Sequence, residues 1–137
     1  YAHRHWLIAN KVNIEDFEYV FNVHQASQLL SHWDTLQDVT FIGHSHLTKS
    51  FGLHPEKGVE ELLPPKLQFE EGSKYIVTVG SVGQPRDNDN RACFGIFDNE
   101  AMTFEYRRVE YDIRSAAKKI VESDLSSDFA KRLFFGI

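Results

Sequence analysis

Two histidines separated by one serine, His44 and His46, follow a short apolar run, Val39 to Ile42, across a single glycine, Gly43. Imidazole is the commonest metal ligand near neutral pH and is costly to bury without a partner, so paired histidines at the end of a strand point to chemistry. In an extended turn, residues i and i+2 face the same side. The two rings can then converge on one cation or on two neighbouring ones, with Gly43 giving the turn its freedom and Ser45 adding little bulk. Spacing alone leaves a second reading open, a pair of solvated turn histidines. The preceding strand favours the first, because functional residues gather where strands end. His24 and His32 fall on amphipathic helical runs and His54 precedes Pro55 in a loop, which makes all three surface histidines. Cys93, the single cysteine, sits in a strand pattern as a small buried hydrophobe. Ser45 has no acid and base around it to make it a nucleophile.

The elements that must position this pair follow from periodicity. Asn13, Glu15 and Asp16 announce a helix start, with Phe17, Val20 and Phe21 on one face. Ala26, Leu29, Leu30 and Trp33 form a second amphipathic run. Val39–Ile42 reads as a short buried strand and Phe51–Leu53 as another extended stretch, with residues 54 to 65 as a loop between His54-Pro55 and Pro64-Pro65. Leu67–Phe69 and Tyr75–Val79 read as two strands that pair across Glu71-Gly72-Ser73, and Ala92–Phe97 and Thr103–Val109 as a hairpin. Asp112 caps a helix whose stripe is Ile113, Ala116, Ala117, Ile120 and Val121. Ser127 caps a last one, with Phe129, Ala130 and Leu133 inward and Gly136 as its stop. Phe94, Phe97, Phe104, Phe129, Phe134 and Phe135 are core candidates, the last two also able to cover a partner subunit.

Composition narrows the class. At 137 residues, 42% hydrophobic, 26% charged and with four prolines, the chain is predicted to be a globular domain rather than a disordered or low-complexity one. The net charge of −5 and scattered basic residues announce no nucleic-acid face. No apolar stretch approaches the ~20 residues of a bilayer span, and one cysteine forbids an internal disulfide, so a cytoplasmic location is expected.

The motifs then fall into an order. "VTFIGHSHLT" resembles the Gly-His-x-His signature of the calcineurin-like metallophosphoesterases. "YIVTVGSVGQPRDNDNRACFGIFD" resembles the Asn-Pro-Gly-Ser-Val-Gly-Gln-Pro-Arg segment and following strand of their small bacterial and archaeal branch. "DFEYVFN" is similar to the stretch before the histidine strand, and "VEYDIRSAAKKI" and "DFAKRLFFG" to the closing helices. The resemblance implies an α/β layered fold, the C-terminal half of a four-layer α/β/β/α sandwich. It also implies two divalent cations (Mn, Fe or Zn), with His44 on one and His46 on the other, and a phosphate-ester substrate attacked in line by a metal-activated hydroxide. Arg86, in the retained Gln84-Pro85-Arg86, is the substrate-binding candidate, since its planar fork suits a phosphate; its alternative is a salt bridge to Asp87 or Asp89 that fixes the loop.

The departures are specific. The family's Asp-x-His, Gly-Asp-x-x-Asp and Gly-Asn-His motifs are absent, and Thr78-Val79 stands where Asn-Pro is usual. His5, with His3 beside it, lies near the place of one further family histidine but lacks the Ser-Pro that should follow, and solvated histidines are the competing reading for both. Residues 1–137 are therefore expected to be a single or partial domain that lacks most metal ligands and is inactive alone, completed by a missing N-terminal half; the Tyr1 start fits that expectation. The rival expectation is a non-catalytic truncated α/β module that binds a partner or forms a homodimer through the uncovered sheet face.

Overall fold

The structure, a computed structural model, describes residues 22–137; the expected helix from Asn13, His3 and His5 lie outside them. The elements are α1 (Val23–Gln28), a 3-10 helix (Leu29–Thr35), β1 (Val39–Ile42), β2 (Ser50–His54), β3 (Gly58–Leu62), β4 (Lys66–Gln68), β5 (Lys74–Thr78), β6 (Ala92–Asp98), β7 (Thr103–Val109), α2 (Ile113–Val121) and α3 (Ser127–Phe135). They build a mixed α/β fold with two sheets, one of order β1-β5-β2-β3 and one of order β4-β7-β6.

The first sheet is mixed. β1 and β5 run parallel, Ile42 opposite Thr78, whereas β2 is antiparallel to both β5 and β3. β5 is buried along nearly its whole length, as a strand with covered faces on both sides should be. On one face lie Ala26, Leu29 and Leu36 of the helical segment, packed on Ile42, Phe51, Leu53 and Ile76. Asn22 caps α1 by accepting from the Gln25 amide at 3.0 Å. Lys74 closes the 3-10 helix, donating to the Trp33 carbonyl and, at 2.6 Å, to that of Leu36, while its ammonium lies 4.8 Å from the Trp33 ring.

The second face of that sheet meets the second sheet. Val39, Tyr75 and Val77 pack against Leu67, Phe69, Cys93, Phe104 and Tyr106, with Phe41 5.4 Å from both Phe97 and Phe104. Tyr106 bolts the sheets together: its hydroxyl lies 2.7 Å from Ser50 Oγ and donates to the Thr78 carbonyl at 2.8 Å. Burial pushes its phenol up to about 12. Tyr106→Phe strands the buried Ser50 hydroxyl and removes a donor, so it should cost about 1–3 kcal/mol in urea denaturation. A cost below ~0.5 kcal/mol would contradict the bolt.

Four expectations change. Residues 54 to 65 are not all loop, because Gly58–Leu62 forms β3; two glutamates and a sheet edge hide its alternation. Leu67–Phe69 does not pair with Tyr75–Val79: β4 pairs with β7 and β5 joins the other sheet, the turn between them switching sheets. The β-branched run of β5 is the mark of a strand covered on both faces, which β4, with one buried residue, cannot match. Ser126 rather than Ser127 caps α3, which Gly136 ends in the left-handed region. Of the six phenylalanines expected in the core only Phe104 is buried; Phe97 is partly covered, and Phe94, Phe129, Phe134 and Phe135 are exposed. Strand period explains Phe94, since Cys93, Gly95 and Phe97 take the inward side of β6. Among the described residues no helix is long and apolar enough to cross a membrane.

Candidate functional site

Because β1 and β5 are parallel neighbours, their C-terminal ends lie side by side, and the loops that leave them emerge together. Such carboxyl ends are where ligands bind in sheets of this kind. The first loop holds the histidine pair; the second runs from Val79 to Arg91 and holds Arg86. The Val79 amide donates to the Ile42 carbonyl at 3.0 Å, extending the parallel ladder one step toward the site.

The turn is not the extended one that spacing suggests. His44 has φ 69° and His46 φ 61°, both left-handed, while Gly43 is not among the positive-φ glycines. The strain that a glycine was expected to absorb falls on the histidines themselves. Non-glycine residues in this region cost about 1–3 kcal/mol each and persist where the surroundings dictate the backbone, as they do at functional sites.

Those surroundings are visible. His46 Nδ1 lies 2.6 Å from the Gln84 carbonyl oxygen, and the Arg86 amide donates to the His46 carbonyl at 3.2 Å. A carbonyl only accepts, so Nδ1 carries a proton, and in the neutral ring Nε2 is the nitrogen with the lone pair. This is the tautomer, held by the partner type, that metal-ligating histidines use. Thr78 secures the far end of the turn, its hydroxyl accepting from the Lys49 amide at 2.8 Å with the Leu47 carbonyl 2.9 Å away. The residue that stands for the usual Asn therefore ties the histidine loop to β5.

Arg86 is exposed, and its guanidinium donates to Gln84 Oε1 at 2.8 Å. The expected salt bridge to Asp87 or Asp89 is made by other arginines. Arg91 grips Asp89 through Nε at 3.0 Å and Nη2 at 2.6 Å, which holds that carboxyl down to about 2. Arg108, on β7, donates to Asp87 Oδ2, which also accepts from the Thr48 hydroxyl at 2.6 Å. Asp87 Oδ1 is buried and has no hydrogen-bond partner among the described residues. Sequence reading missed this cluster, although a signal existed: Phe104, Tyr106 and Arg108 alternate on one side of β7, and a charge in line with two buried aromatics needs a partner. Cys93, buried beside it, has its thiol pushed up by burial. His54, expected in a loop, ends β2 and bonds Ser73 Oγ at 2.8 Å and Glu60 Oε1 at 3.1 Å.

Whether this arrangement suits a pair of cations turns on donors. Among the described residues no three His, Cys, Asp or Glu side chains gather as a metal-holding group. Four to six donors are needed for each such ion, so the described residues fit as contributors to a centre and not as a whole one.

Comparison with known proteins bears on the same point. No family model matches the chain. An uncharacterized protein of Methanocaldococcus jannaschii is 42% identical over 99 residues, 72% of this chain and 40% of that protein. The crystal structure of a metallophosphoesterase from Sphaerobacter thermophilus superposes with a TM-score of 0.70 at 27% identity, covering 87% of this chain and 49% of that one. A hypothetical protein from Pyrococcus horikoshii aligns with a TM-score of 0.55 at 18% identity, covering 85% and 39%. The chain thus spans between about two fifths and half the length of these relatives.

Proposed function

Over most of its length the chain carries the calcineurin-like metallophosphoesterase fold, and from that premise we propose that it supplies part of the active site of a metal-dependent phosphomonoesterase or phosphodiesterase. The observation that carries this is the His46 ring, whose Nδ1–H is engaged by the Gln84 carbonyl and whose Nε2 is left as a donor to a cation. His46 and His44 are the cation donors of this chain. Divalent ions, when bound, polarise a phosphate ester and activate water. The protein's own part is to hold the His46 proton on Nδ1, to keep both loops in register and to present Arg86 to the ester's oxygens.

The remaining donors come, on this reading, from polypeptide that completes the fold. Its place is suggested by β1. That strand is the edge of its sheet among the described residues, yet Val39, Thr40 and Ile42 are buried on both faces. This is the pattern of an interior strand, and an unpaired edge of that kind seeks another strand. A homodimer formed through the same edge is the competing occupant, and sedimentation of the chain tells the two apart.

The test uses the product of the whole reading frame. With added Mn²⁺ it should hydrolyse bis(p-nitrophenyl) phosphate, lose activity to EDTA and regain it with Mn²⁺, whereas residues 1–137 alone should turn over no substrate. A whole product that neither binds Mn²⁺ nor cleaves the diester overturns the assignment, and a metal-free, inert dimer of the chain supports the binding module instead.

A further inference from the structure

The second sheet reaches the histidine turn through one side chain. Arg108 projects from the inward face of β7 near its end, largely buried, and reaches the last part of the loop that follows β5, at Asp87, Asp89 and Arg91. It donates to the Asp89 carbonyl at 3.4 Å and the Arg91 carbonyl at 3.3 Å, lies 3.8 Å from the Asp89 carboxylate through Nε, and bonds Asp87 Oδ2 and, at 3.3 Å, Thr48 Oγ1. Thr48 stands two residues after His46, and Asp87 directly follows Arg86, whose amide holds the His46 carbonyl. Three links therefore join the two loops: His46 Nδ1 to Gln84, Arg86 to His46, and Thr48 to Asp87. The first two join loop segments to each other through a carbonyl of Gln84 and an amide of Arg86. Gln84 is held locally, its amide donating to Ser81 Oγ at 2.9 Å, and Ser81 in turn accepts from the Cys93 amide of β6; the third link ends on a charged side chain of the second sheet, because Asp87 is gripped by Arg108.

We infer that Arg108 is a positioning residue: by fixing Asp87, and through it Thr48 and the Gln84–Asp87 segment, it sets the carbonyl that keeps the proton on His46 Nδ1. The inference rests on the reading of His46 as a cation donor for its purpose, but its geometry does not depend on any cation. A guanidinium is needed rather than a point charge. Its several N–H groups are spent at once on two backbone carbonyls, a carboxylate and a hydroxyl, which an ammonium with three donors on a flexible stem cannot span in one geometry.

The experiment is long-range ¹H–¹⁵N NMR of the His46 ring in the labelled metal-free chain, assigned with His46→Gln. The parent should show the Nδ1–H tautomer. Arg108→Ala should lose that signal in favour of the Nε2–H form, with Arg108→Lys recovering it only in part, while Arg107→Ala, an exposed residue paired with Glu105 on the outer side of β7, should leave it unchanged. If Arg108→Ala does not fold, Thr48→Val cuts the same link without removing the arginine and should produce the same loss. A folded Arg108→Ala or Thr48→Val that keeps the parent tautomer overturns the inference and leaves the phosphoesterase reading standing. Failure of the whole reading-frame product to bind Mn²⁺ sinks that reading and leaves the tautomer result untouched.

Discussion

His46→Gly should abolish phosphodiester turnover by the whole reading-frame product and leave the fold as stable as the parent. Two opposing terms set the stability. Glycine adopts φ 61° freely, so the left-handed penalty of about 1–2 kcal/mol is relieved. Against this stand the lost hydrogen bond to the Gln84 carbonyl, worth about 1 kcal/mol net, and the greater freedom of glycine in the unfolded chain, about 0.5–1 kcal/mol. The sum should fall within ~1 kcal/mol of zero. His46→Ala keeps the strained backbone and loses the same bond, so it should be the less stable variant by about 1 kcal/mol. The effect on catalysis has no such cancellation. Removing groups that merely orient a ligand costs about 10–100-fold, and removing the ligand itself should exceed that. Thermal melts and turnover with Mn²⁺, measured side by side, separate the two. A glycine variant that melts far below the parent and still cleaves the diester would mean that this backbone serves the fold and not a cation. The divergence between stability and activity is what a residue kept in an unfavourable conformation for function should show.

The architecture was legible wherever one physical signal dominated. The run Val39–Ile42, the hairpin of β6 and β7 and the stripe of α2 each follow from a single clear period, and all three elements are present. What escaped was set by tertiary choice. Whether Leu67 pairs with Tyr75 or with Phe104 is a question of which face each strand must cover, and local sequence around the Glu71-Gly72-Ser73 turn is the same for both answers. β3 was hidden because an edge strand tolerates glutamates that a buried one would not. At the site, residue types were readable and conformation was not: His44 and His46 announce themselves by spacing, but both take positive φ, and His46 is held there by bonds to Gln84 and Arg86, 38 and 40 positions later. Arg108 stands directly after Arg107 in the sequence, which reads as a basic pair. Strand alternation sends the two to opposite sides, Arg107 outward to Glu105 and Arg108 inward to Asp87, so the pair has no common role.

Gly80→Ala should be the most damaging small substitution near the site, destabilising by about 2–5 kcal/mol in chemical denaturation. Two independent costs combine. Gly80 has φ 77°, a conformation that costs alanine about 1–2 kcal/mol. A Cβ there would also sit 2.6 Å from Cys93 Sγ, 2.9 Å from its Cβ and 3.2 Å from Thr48 Cγ2. Cys93 cannot yield easily, because it is buried between the sheets and its amide donates to the Ser81 carbonyl at 2.8 Å. Overpacking of this kind costs about 1–3 kcal/mol. Pairing the change with Cys93→Ala tests the division: removing Sγ should recover part of the steric cost and none of the backbone cost, so the double variant should be more stable than the sum of the singles predicts. Strict additivity would show that backbone strain alone is responsible. The Thr48 contact gives the change a second consequence. A methyl group pressing on Thr48 disturbs the hydroxyl that ties the histidine turn to Asp87, so the Nδ1–H signal of His46 should weaken in Gly80→Ala even in solvent conditions where the fold is intact. Glycine at this position is thus required twice, once by the turn that leaves β5 and once by the close approach of the second sheet to the loop that carries the imidazoles.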